Sequence, residues 1–239
     1  TRIVLDGQRG TEVILSNTGK EEATYRISLE LKRMTPEGKL ENIAEADATP
    51  HEKSSLGLVR FAPKRVTLLP NQPQSIRLAL QGTTAIADGE YRAHLLFRAM
   101  PKVEAATAAA ASQGVTIKLN AIYGVSIPVI VRKGKLEATA ALANARLVKD
   151  GKETALSIDV SRKGNRSVYG DIIVTAPGVV EPIMVARGLA VYPEVDGRTI
   201  KLELDDAEIA KMHGSVTISY REPAEKGGAV IAELKTVLP

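Results

Sequence analysis

Residues 115–131 read VTIKLNAIYGVSIPVIV, and every odd position is apolar: Val115, Ile117, Leu119, Ala121, Tyr123, Val125, Ile127, Val129 and Val131. The even positions begin polar, with Thr116, Lys118 and Asn120, and become mixed from Ile122 onward. Period-two alternation marks a strand with one dry face. At roughly 3.3 Å per residue the run would extend about 55 Å, whereas strands in a sandwich span about 20 Å. Two readings follow. Either part of the strand outruns its own domain and presents an apolar edge to a partner, or a bend at Gly124 or Pro128 carries it between sheets and buries all nine side chains internally.

Upstream, the same grammar recurs. Ala23, Tyr25, Ile27, Leu29 and Leu31 alternate with polar residues as a half-buried strand, preceded by short strands at 2–6 and 12–16. Residues 36–55 are polar and weakly periodic, which predicts a loop carrying a short helix or a frayed strand. From Leu58 a strand is interrupted by Pro63, a turn follows at Pro70-Asn71-Gln72-Pro73, and a second strand covers 75–80. In 90–99, Tyr91, Ala93, Leu95 and Phe97 share one face, and Pro101 ends the run. The Ala-rich stretch 103–112 reads as a loop, with a brief helix as the alternative.

Downstream, Lys133-Gly134-Lys135 breaks the pattern and predicts a boundary between a domain at 1–133 and a domain at 134–239. The second half predicts strands at 154–160, 168–175, 183–186, 189–192, 199–204, 215–221 and 229–238, separated by turn signals such as Asp150-Gly151 and Asp196-Gly197. Asp205 to Glu208 before Ile209, closed by Gly214, predicts a capped helix of one or two turns, the one helix to which the pattern commits.

Composition supports two all-β domains. The chain has 239 residues, about twice the length of an ordinary sandwich. Apolar residues make up 44% but aromatics only 3%, with no Trp, so the cores must be built from Val, Ile, Leu and Ala. No apolar run approaches the roughly 18 residues of a membrane-spanning helix, which predicts a chain without membrane insertion. The opening at Thr1, without Met or leader, reads as a mature or trimmed chain.

Cysteine is absent, which excludes disulfides and thiolate chemistry. The net charge is +4, but the basic residues are spread along the chain without interleaved aromatics, which argues against nucleic acid. His51, His94 and His213 lie far apart and no phosphate loop, nucleophile elbow or zinc motif occurs. The expectation is a protein that is not an enzyme, with no catalytic residues, no metal and no cofactor.

Several stretches together resemble the periplasmic pilus-assembly chaperones of the chaperone–usher pathway, closely over the first domain and loosely over the second. Thr1 to Gly7 is similar to that family's first strand, with Asn17 at a turn that usually carries Asn. Val59 to Pro63 with Leu69-Pro70-Asn71 resembles its proline-interrupted segment. Tyr91 to Pro101 resembles the strand before its donor loop, and Ile127 to Arg132 the end of its donor strand.

The resemblance implies two immunoglobulin-like β-sandwich domains in an L-shaped arrangement, in the periplasm, with pilin or fimbrial subunits and an outer-membrane usher as partners. It implies a donor strand in which Ile117, Leu119, Ala121, Tyr123 and Val125 fill pockets of an incomplete subunit. Self-association of the free protein is left open. It also implies a cationic anchor for the subunit's C-terminal carboxylate, for which Arg2 matches the family's first-strand arginine. The family's second anchor is a donor-strand lysine. Here Pro128 occupies that place, so the sequence departs from the pattern, and Arg92, Arg98, Arg132 or Lys133 are the candidate substitutes. The alternative function on the same fold is a surface adhesive or interaction protein of tandem immunoglobulin-like domains.

Overall fold

A computed structural model describes residues 2–101, 123–151 and 153–239. The fold is all-β, and the chain forms two compact units. One comprises Thr1–Leu31, Ile43–Ala87 and Tyr91–Arg132; the other comprises Lys133–Pro239 together with Lys32–Asn42 and Asp88–Glu90.

In the first half of the chain the strands are β1 (Ile3–Asp6), β2 (Gly10–Ser16), β3 (Ala23–Met34), β4 (Leu40–Ile43), β5 (Val59–Ala62), β6 (Arg65–Leu68), β7 (Pro73–Leu80), β8 (Gly89–Met100) and β9 (Gly124–Lys133). Among the described residues they make a six-stranded sheet, ordered β1-β9-β8-β3-β4 with β6 also on β3, and a three-stranded sheet ordered β2-β7-β5. The chain crosses from the small sheet to the large one at Pro63, because β5 pairs with β7 and β6 pairs with β3. Proline has no backbone donor for a ladder, so a position between two sheets suits it.

The alternation read from sequence sets the core. Ile27, Leu95, Phe97, Val129 and Val131 from the large sheet meet Ile76, Leu78 and Val59 from the small one in a single apolar cluster. A nine-residue helix, α1 (Pro50–Leu58), leads into β5, and its His51 ring stacks on Tyr91 with centroids 4.2 Å apart. The region was expected to hold a short helix or a frayed strand; it holds both α1 and β4. The commitment to one helix in the chain is therefore corrected. The signal was local: Thr49 and Glu52 close a reciprocal capping box around Pro50, which sits at the first helical turn.

The second half forms β10 (Ala138–Asp150), β11 (Glu153–Gly164), β12 (Val168–Thr175), β13 (Met184–Val191), β14 (Gly197–Leu204), the helix α2 (Asp206–Lys211), β15 (Gly214–Arg221) and β16 (Val230–Leu238). Three strands, β10-β11-β14, face four, β13-β12-β15-β16, across a core that includes Leu156, Ile158, Ile172, Ile218 and Tyr220. Three strands against four is the count of a constant-type immunoglobulin sandwich.

Two strands here differ from the sequence reading. The runs at 183–186 and 189–192 are one strand, β13, whose pairing with β12 shifts register around Gly170, with Gly188 at φ 74°. The long strand β10 was missed. Its first half is dominated by Ala, and a bulge between Ala143 and Arg146 breaks the period. At that bulge Asn144 adopts φ 51° and donates from Nδ2 to Asp159 Oδ2 at 2.9 Å, while Thr199 Oγ1 donates to Asp159 Oδ1 at 2.7 Å. Those two bonds, with Arg146 nearby, hold the Asp159 carboxyl below its ordinary range.

Candidate functional site

The apolar face of β9 divides in two. Ile127, Val129 and Val131 are 9%, 0% and 2% exposed and belong to the core of their own unit. Tyr123 and Val125, the preceding members of the same alternating series, are 77% and 64% exposed. Burial of all nine side chains inside one sandwich is thereby excluded, because two of them face water. Ile117, Leu119 and Ala121 lie outside the described residues.

The backbone of β9 divides at nearly the same place. On one side it neighbours β8, with Ala99 N donating to Tyr123 O at 2.9 Å. On the other side β1 pairs with it in parallel, Ile3 with Val129 through Asp6 with Arg132. Among the described residues, no strand pairs with that second edge from Gly124 to Pro128. A half-strand with an open edge and exposed apolar side chains is the arrangement that strand addition requires.

The opposite face of the large sheet carries the polar candidates. Arg2 precedes Ile3, the partner of Val129, so it comes level with Pro128, and its guanidinium is half-buried with Nη1 shielded from solvent. Arg92 is half-buried on β8, two residues from His94, which is only 1% exposed. His94 stands opposite Glu30 on β3, and Glu30 Oε1 accepts from the Ser126 hydroxyl at 2.7 Å. Glu30, His94 and Ser126 were not singled out as site residues in the sequence reading; they come together only through the pairing of β3, β8 and β9.

The remaining candidates are distributed differently. Arg132 stands opposite Asp6 and its Nη1 approaches Asp6 Oδ2 at 3.9 Å, with 12% of the side chain exposed. Arg98 is exposed near the outer end of β8. Lys133 is half-buried and belongs to the second unit.

No family model matches the sequence, and no curated protein matches it. Solved structures do match in fold. The YadV chaperone aligns over 100% of this chain and 96% of its own at 13% identity, with a TM-score of 0.50. The Pseudomonas aeruginosa CupB2 chaperone aligns over 100% and 98% at 13% identity, with a TM-score of 0.48. A structure of the Salmonella enterica SafA pilin in complex with the SafB chaperone aligns over 100% and 93% at 18% identity, with a TM-score of 0.47. At these identities the likeness is one of fold.

Proposed function

We propose that this chain is a periplasmic chaperone of the chaperone–usher type, which stabilises pilin subunits by lending them a strand and delivers them to an outer-membrane usher. The observation that carries the reading is the divided β9. Its second half is fixed in its own core, while Tyr123 and Val125 stand exposed beside an open backbone edge. The shared fold with the YadV chaperone supports it.

The mechanism follows from strand physics. A subunit lacking its final strand exposes unpaired backbone groups and apolar pockets, both costly in water. The open edge of β9 supplies main-chain hydrogen bonds, and alternate side chains from Ile117 through Leu119, Ala121 and Tyr123 to Val125 fill the pockets. Burying three or four such side chains contributes a gross stabilisation on the order of 5 to 10 kcal/mol before ordering costs. Arg2 grips the subunit's terminal carboxylate through paired charge-assisted bonds. Arg92 is the second cation the reading favours, because it is half-buried on the same sheet face as Arg2.

Co-expression with candidate fibre subunits, followed by mass spectrometry of the captured complex, tests the reading. An equimolar complex is expected, reduced by Val125→Glu and by Arg2→Ala with folding checked by circular dichroism. Failure to capture any subunit, or capture undiminished by Val125→Glu, would overturn it.

A further inference from the structure

On the outer face of the six-stranded sheet, three arginines stand abreast. Arg26 on β3 is directly opposite Arg65 on β6 and directly opposite Arg98 on β8, so one rung across three adjacent strands carries three guanidinium groups. All three are exposed, and among the described residues none of the three guanidinium groups has a hydrogen-bond or ion-pair partner. The next rung outward holds Thr67, Thr24 and Met100, with the two threonine hydroxyls 2.8 Å apart; the next inward holds Ser28 and Leu96. The acids nearest Arg26 on that face are Glu22, just before β3, and Glu30, each four residues or about 13 Å away along the chain; the Glu30 carboxylate takes the Ser126 hydroxyl.

Like charges directly opposite in a sheet work against folding. Charged residues are often placed on edge strands to prevent sheet-to-sheet association, but that explanation does not reach β3 and β8, which are interior strands. A row of guanidinium groups without internal partners is a surface complementary to anions.

We propose that Arg65, Arg26 and Arg98 bind an acidic polypeptide segment. Neighbouring strands lie about 4.8 Å apart, so the rung spans about 10 Å, the reach of two or three acidic side chains at alternating positions of an extended chain. Guanidinium forks match carboxylates in pairs, which a Lys row would not do. Three charges fall short of the clusters of about four to eight that mark anionic-lipid binding, and among the described residues no aromatic platform for stacking bases shares their face. The row lies on the β8 side of β9, opposite its open edge, and the proposal does not depend on the chaperone reading.

Fluorescence anisotropy with a short labelled peptide alternating Glu and Thr, and its Gln counterpart, tests this on the full chain at about 20 mM and about 150 mM salt. The Glu peptide is expected to bind about tenfold more tightly than the Gln peptide, and Arg26→Gln/Arg65→Gln/Arg98→Gln to remove that difference. Arg60→Gln/Arg77→Gln, at exposed positions on the small sheet, is expected to leave it intact. Arg98→Gln alone, expected to weaken binding severalfold, serves if the triple variant does not fold. Equal affinity of the arginine variants and the parent protein would overturn the proposal. So would arginine-dependent retention on phosphatidylglycerol vesicles with no peptide binding.

Discussion

The Ser126 hydroxyl on β9 donates to Glu30 Oε1 on β3 at 2.7 Å, reaching across the intervening β8. The bond ties the start of β9 to the middle of the sheet three residues before β1 begins to cover its other side. The position of the open half-strand is therefore set by the protein itself, while its backbone edge stays available.

Removing that tie should be measurable. Ser126→Ala is expected to destabilise the free protein by about 1.5 kcal/mol, the lower end of the net range for a hydrogen bond to a charged group. A lowered urea midpoint with unchanged slope checks it, and an unchanged midpoint would count against the tie.

Along β9 the same substitution class should have very unequal consequences on either side of Ser126. Val125→Ala is expected to change stability by less than about 0.5 kcal/mol, because the side chain is already in water. Ile127→Ala, two residues on, is expected to cost about 2 to 4 kcal/mol through cavity formation. Thermal or urea unfolding of the two variants side by side measures the contrast.

Relieving the arginine row should stabilise the free protein. Arg26→Thr removes the central charge of three and introduces a good strand former, for an expected gain of about 0.5 kcal/mol that shrinks as salt rises. Unfolding at low and high ionic strength reads both the sign and the screening.

The Asp159 carboxyl supplies a pH prediction. Its folded pKa is lowered, first by the Thr199 hydroxyl and then by the Asn144 amide, so the unfolded chain takes up its proton at a higher pH than the native one. The stability it contributes is present above the ordinary carboxylate range and is lost as pH falls through the depressed native value. Asp159→Asn should lower stability near neutral pH and flatten this part of the acid dependence. Unfolding midpoints measured from about pH 6 downward test it.

Much of this architecture could be read from residue order alone. Alternation in Tyr25-Ile27-Leu29 and Tyr91-Ala93-Leu95-Phe97 marked both central strands, because side chains on a strand change faces at each residue. β10 escaped notice because alanine carries little pattern and the Asn144 bulge resets the period. α1 was read only as one option for 36–55, because its apolar residues carry little helical period, although the Thr49-Pro50-His51-Glu52 signature was there to be used. The sites divide by the same logic. The odd-numbered face of 115–131 was legible locally, but where its burial stops depends on how far β1 reaches along β9. The row of Arg65, Arg26 and Arg98, from positions scattered over more than seventy residues, exists only once strand register is known.

The anchoring of Ile127, Val129 and Val131 makes β9 an indexed rail. Sliding it by a single residue would turn all three away from their core, so the strand has one permitted phase. Any chain that zips onto its free margin inherits that alignment from side chains it never touches.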